Sequence, residues 1–126
     1  MSNGLRYSLN LKLKREKIFF GPGVYHLLAG IVETESINRA AKQMGMSYNK
    51  AWRILNQAEK ELGFNLVEKN VGGSNGGGTI VTPAGKQFME KFLRFQKIMY
   101  KEADKHFNDI FDVFIEGGSG NDEGTI

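Results

Sequence analysis

Apolar positions change period several times along this chain, and each change marks an element. Leu9, Leu11 and Leu13 alternate with Asn10, Lys12 and Lys14, the two-residue period of a half-buried strand. Ile18, Phe19 and Phe20 close that segment. Gly21-Pro22 then opens a helix, because proline at a first helical turn gives up an N–H that has no partner there anyway. Val24, Leu27, Leu28, Ile31 and Val32 form an apolar stripe at helical spacing, with His26 beside it and expected to pack there. Further on, Ala51, Leu55, Ala58 and Leu62 mark the buried face of a helix from about Tyr48 to Leu62. Asn49, Arg53, Asn56 and Lys60 fall on its opposite face, and Gly63 ends it. Phe64, Leu66 and Val67 read as a strand and Thr79, Ile80 and Val81 as its return, with a glycine-rich run from Gly72 to Gly78 between them.

Thr82 caps and Pro83 starts a last, long helix, expected over residues 83–115. On it Phe88, Phe92, Phe95 and Met99 are spaced as on a coiled-coil seam. The phase shifts near Glu102 and resumes through Phe107, Ile110, Phe111 and Phe114. Residues 116–126 are rich in glycine and acidic groups and are expected to be a flexible tail. The expected organisation is one mainly α domain over residues 1–115 with a small β wing.

The most informative segment runs from Ser36 to Leu55. Ser36 and Ser47 each stand where a side-chain oxygen accepts from an orphan amide at a helix start. Ala40 and Ala41 are small enough for a close helix crossing, and Gly45 supplies the positive φ of a sharp turn. This order predicts a helix-turn-helix, whose second helix enters the DNA major groove. A hairpin directly after that helix is a wing.

Composition narrows the field. The chain has 126 residues, room for one domain with a real core. It has no cysteine, which excludes a disulfide framework or a thiolate metal site. No apolar run reaches membrane-spanning length and the first ten residues do not form a signal peptide, so a cytoplasmic location is expected, away from any membrane. The net charge of +3 is compatible with nucleic-acid binding without requiring it. No carboxylate pair, histidine pair or nucleophile converges, and the glycine run lacks the lysine and Ser/Thr of a phosphate-binding loop. Neither an enzyme, a metal site nor a cofactor is expected.

From Leu9 to about Met99 the chain resembles the winged helix-turn-helix domain of the molybdate-dependent regulators, relatives of LysR-type repressors. The matching pieces are Gly21-Pro-Gly23, Ser36-Ile37, Ala40-Ala41-Lys42, Gly45-Met46-Ser47-Tyr48, Ala51-Trp52, Leu66-Val67, the glycine-rich wing and Thr82-Pro83-Ala84-Gly85. The resemblance implies a homodimer that binds operator DNA. In that family a C-terminal pair of β-barrels takes molybdate. Nothing after the long helix matches them, so no molybdate binding is expected of this chain.

The expected DNA contacts are Ser47, Tyr48, Asn49, Lys50, Arg53 and Asn56 on the recognition helix, with Lys69, Ser74 and Asn75 on the wing. Asn and Arg pair bidentately with adenine and guanine edges, while Ser, Tyr and Lys suit phosphates. Trp52 is expected to pack rather than stack on bases. Phe88, Phe92, Phe95 and Met99 are the expected dimer interface, which supplies the two-fold symmetry of paired half-sites. The alternative reading is a winged-helix assembly module that does not bind DNA.

Overall fold

The computed structural model describes residues 4–70 and 78–115. Their order is β1 (Leu13–Lys14), β2 (Ile18–Phe20), α1 (Pro22–Thr34), α2 (Ile37–Gln43), α3 (Tyr48–Leu62), β3 (Val67–Asn70), β4 (Gly78–Val81), α4 (Pro83–Ile110) and α5 (Asp112–Ile115). The chain divides into two compact units, one of residues 10–92 and one of residues 1–9 with 93–126. The architecture is mainly α with a small antiparallel wing. The expected tail, residues 116–126, lies outside the described residues.

In the larger unit the helical stripes close on one core. Leu27, Leu28 and Ile31 of α1, Ala51, Leu55 and Ala58 of α3, and Leu66 are each fully buried. Val32, expected on the same stripe of α1, is 44% exposed. It sits one position past Ile31, and the stripe facing the core is too narrow to hold both. His26 is also exposed rather than packed in the core, with its ring edge-on to Tyr25 at 5.6 Å. The close helix crossing falls between α1 and α2. A Cβ placed on Gly30 would lie 3.0 Å from the Ala40 Cβ, so the two small residues let the backbones meet.

The opening strand is shorter than its pattern. The burial alternates from Leu9 to Lys14 as expected, but only Leu13 and Lys14 pair, antiparallel to Ile18–Phe20 through an irregular register. Arg15, in the turn between them, donates from Nε to the Glu61 carbonyl at 2.8 Å. That places a cation at the carbonyl end of α3, where the helix dipole favours it.

α4 stops at Ile110, and Phe111 forms a bend before α5, so the expected helix over 83–115 is interrupted. In the smaller unit the segment before β1 lies along the later part of α4. The Tyr7 ring sits 5.0 Å from that of Phe107 and 6.2 Å from that of Tyr100. The Tyr7 hydroxyl donates to the Asp104 carboxylate, and the Tyr100 hydroxyl donates to the Leu9 carbonyl.

Candidate nucleic-acid interface

Each end of the helix-turn-helix is closed by a specific bond. The Ser36 Oγ accepts from the Arg39 N–H at 3.1 Å at the start of α2, and the Ser47 Oγ accepts from the Lys50 N–H at 3.0 Å at the start of α3. Between them the Met46 N–H reaches back to the Ala41 carbonyl and the Gly45 N–H to the Lys42 carbonyl, both at 3.0 Å. This double bond pattern terminates α2 around a left-handed residue, and Gly45 at φ 69 supplies it. These bonds brace the turn and set the angle at which α3 follows α2.

α3 divides cleanly by face. Ala51, Leu55 and Ala58 are at zero exposure, while Asn49, Lys50, Arg53, Asn56 and Lys60 all face solvent. Tyr48 is 49% exposed at the first turn, its ring edge-on to Trp52 at 6.4 Å. Trp52 is half-buried against the core cluster, as packing requires. The exposed set carries two amides and a guanidinium in the middle of the face, with a hydroxyl and an ammonium at its start. That set offers base-edge donors and acceptors flanked by phosphate donors.

The wing is fixed to the body at both strands. Val67 pairs with Val81 and Lys69 with Thr79 in the β3–β4 hairpin. On the β3 side, Glu59 of α3 turns its Oε2 to the N–H groups of Leu66 and Val67, accepting at 2.8 and 3.1 Å. On the β4 side, the Thr79 N–H donates to the Glu35 carbonyl at 3.0 Å. Glu35 ends α1 at φ 54, a left-handed conformation that turns its carbonyl out of the helix. Neither Glu59 nor Glu35 stood out in the sequence. Both look like ordinary surface acids, and only the strand amides opposite them reveal the role. Lys69 is exposed on β3, whereas Ser74 and Asn75 lie outside the described residues.

The base of α4 completes the wing's support. Thr82 accepts from the Gly85 N–H at 2.9 Å and donates to the Asn65 carbonyl at 2.6 Å, so one hydroxyl caps α4 and holds the segment that leads into β3.

The expected dimer seam needs correction. Phe92 is 3% exposed, its ring edge-on to Phe20 at 5.1 Å, and it belongs to the core of its own unit. Phe88 is half-buried and meets Phe20 at 4.8 Å and Phe64 at 6.2 Å. Aromatic rings already packed in this way leave little surface for a second chain. Phe95 is 45% exposed and Met99 half-buried, and Ile98, which the spacing passed over, is 53% exposed. Among the described residues no cluster of His, Cys, Asp or Glu could hold a metal ion, and no helix is long and apolar enough to cross a membrane.

Known proteins give this geometry a context. The profile of the bacterial regulatory helix-turn-helix proteins of the LysR family matches residues 24–86, from α1 into the first turn of α4. The DNA-binding transcriptional dual regulator ModE of Escherichia coli (strain K12) is 34% identical over 96 residues, 76% of this chain and 36% of that protein. The molybdenum transport protein ModE of Herbaspirillum seropedicae is 40% identical over 73 residues, 58% of this chain and 27% of that one. The chain thus spans about a third of the length of the curated relatives it matches. Among solved structures, the CbnR DBD–DNA complex superposes with a TM-score of 0.51 at 24% identity, over 67% of this chain and 91% of that one. The BenM DBD in complex with catB site 1 DNA gives 0.51 at 20% identity, over 68% and 87%. At these identities the likeness carries the fold.

Proposed function

This chain belongs to the LysR family of bacterial regulatory helix-turn-helix proteins, and from that premise we propose that it is a dimeric transcriptional regulator that reads an inverted-repeat operator in double-stranded DNA. The observation that carries the reading is the division of α3. One face is buried through Ala51, Leu55 and Ala58 and fixes the helix, while the opposite face presents Asn49, Arg53 and Asn56 to solvent from a start locked by the Ser47 cap. An assembly surface would show apolar side chains there. Arg53 and Asn49 read base edges, and Lys50 and Lys69 meet phosphates. Phe95 and Ile98 supply apolar surface for a second copy, whose two-fold axis sets half-sites whole helical turns apart. The names of the relatives, which include molybdenum transport, support a regulated process tied to molybdenum.

Selection of binding sites from random duplex DNA tests this. The unmodified chain should enrich one inverted repeat. Arg53→Ala should cost about 1–3 kcal/mol on that site and relax preference at one or two base pairs of each half. A selection that enriches nothing, or one that Arg53→Ala leaves unchanged, overturns direct base reading and favours the assembly-module alternative.

A further inference from the structure

Beside the recognition helix lies a groove of about 380 Å³ between α3 and the corner where β2 runs into α1. Lys50, Ile54 and Gln57 of α3 form one wall, and Lys12 and Gly21 lie on the other side. Most of the residues that line it are apolar, and among the described residues no carboxylate lines it, while Lys12 and Lys50 both do. A Cβ on Gly21 would lie 3.1 Å from the Lys12 Cγ, so the lysine stem lies against that glycine. Lys12 precedes residues 24–86, the part matched by the LysR family profile, and it was not among the residues expected to touch DNA.

We propose that this groove seats a DNA backbone phosphate, with Lys12 and Lys50 as its two cations. The proposal rests on the DNA-binding reading above and extends it to the hairpin ahead of α1. The wall residues of α3 sit on the flank next to the Asn49–Arg53–Asn56 face. The major groove is about 12 Å wide, so when that face meets base edges the flanks of the helix meet the phosphate walls. A phosphodiester matches the groove's charge, and an exposed lysine on each side can reach it without burying either ammonium. Each phosphate neutralised in this way adds to the salt dependence of binding but carries no sequence information.

The test compares the full chain with Lys12→Ala, Lys12→Gln and Lys12→Arg on the selected duplex across a potassium chloride series. Lys12→Ala and Lys12→Gln should each lower the slope of log affinity against log salt by up to about 1.8, about 0.9 for each half-site of the dimer, with the selected sequence and thermal unfolding unchanged. Gln keeps the stem over Gly21, so a loss shared by both variants belongs to the charge. Lys12→Arg should restore the slope, and ethylation interference should lose one phosphate per half-site in the Ala and Gln variants only. An unchanged slope in a chain that binds its operator overturns the groove assignment alone. An unmodified chain that binds no duplex overturns the DNA reading and the groove with it. Stoichiometric binding of inorganic phosphate in calorimetry without DNA identifies a free-anion site and also overturns the proposal.

Discussion

Replacing Glu59 by alanine removes the link between α3 and the wing, and its cost follows from the bonds it makes. One carboxylate oxygen accepts from two amides at the start of the wing, Leu66 just before β3 and Val67 within it, at 2.8 and 3.1 Å. Both residues are buried, Leu66 completely and Val67 at 5% exposure. Alanine leaves two N–H groups without their acceptor where water reaches them poorly. A bond to a charged acceptor contributes about 1.5–3 kcal/mol. Glu59 is half-buried, so some solvent reaches the carboxylate and the lower end applies. Two such bonds give about 3 kcal/mol, a large share of the roughly 5–15 kcal/mol that holds a domain together. At about 4 °C per kcal/mol for a chain of this size, the midpoint of thermal unfolding should fall by about 12 °C.

Trp52 is the only tryptophan of the chain, and it lies on α3 half-buried against the core, so its fluorescence follows unfolding of the unit that contains Glu59. Urea titration read at Trp52 should show Glu59→Ala losing about 3 kcal/mol with an unchanged slope. Glu59→Gln keeps an oxygen in place for both amides and loses only the charge, so about 1 kcal/mol is expected. Hydrogen exchange adds a local reading, since the Leu66 and Val67 amides should exchange faster in the alanine variant than in the glutamine one. An alanine variant within about 0.5 kcal/mol of the unmodified chain, the scatter of a neutral surface change, would refute the argument that these bonds hold the wing to the recognition helix.

Two more perturbations separate roles that the sequence merges. Phe92→Glu should unfold its unit, because it places a carboxylate where an aromatic ring packs on Phe20, at a cost of several kcal/mol. Phe95→Glu should leave far-ultraviolet circular dichroism intact and convert the proposed dimer to monomer in light scattering; a Phe95→Glu variant that remains dimeric removes this surface from the interface. Tyr7 tests the smaller unit: its hydrogen bond to Asp104, helped by the nearby negative charge, pushes the phenol from 10.0 up to about 12. The folded state therefore prefers the protonated phenol, so this contribution to stability is complete below about pH 10 and is lost as pH rises to about 12. Phenolate absorbance should show a component titrating at about 12, and Asp104→Asn should return it toward the ordinary range.

What the sequence made legible was whatever depends on neighbours in the chain. The caps at Ser36 and Ser47, the left-handed turn at Gly45 and the buried face of α3 are all local. Each follows from spacing alone, and each appears in the structure at the residues expected, save that Leu62, expected on the buried face of α3, is only half-buried. The shortfalls arise where a distant segment decides. Period places Phe88, Phe92, Phe95 and Met99 on one seam, but it cannot say where along a helix the packing partner changes. Phe20, far upstream, takes Phe88 and Phe92 into the core and leaves Phe95 outside. The same limit hid Glu59, because an acid on a helix flank reads as solvated until strand amides from a later segment are brought to it. It hid Lys12 as well, since alternation assigns that residue to the solvent side of a strand, and only the turn of the chain into α1 sets it across a groove from Lys50. The recognition helix can thus be read from its own residues. The parts that hold it at a fixed angle to the wing and extend its charged flank come from contacts distant in sequence, so substitutions at Glu59 and Lys12 discriminate between mechanisms that changes on the exposed face of α3 cannot separate.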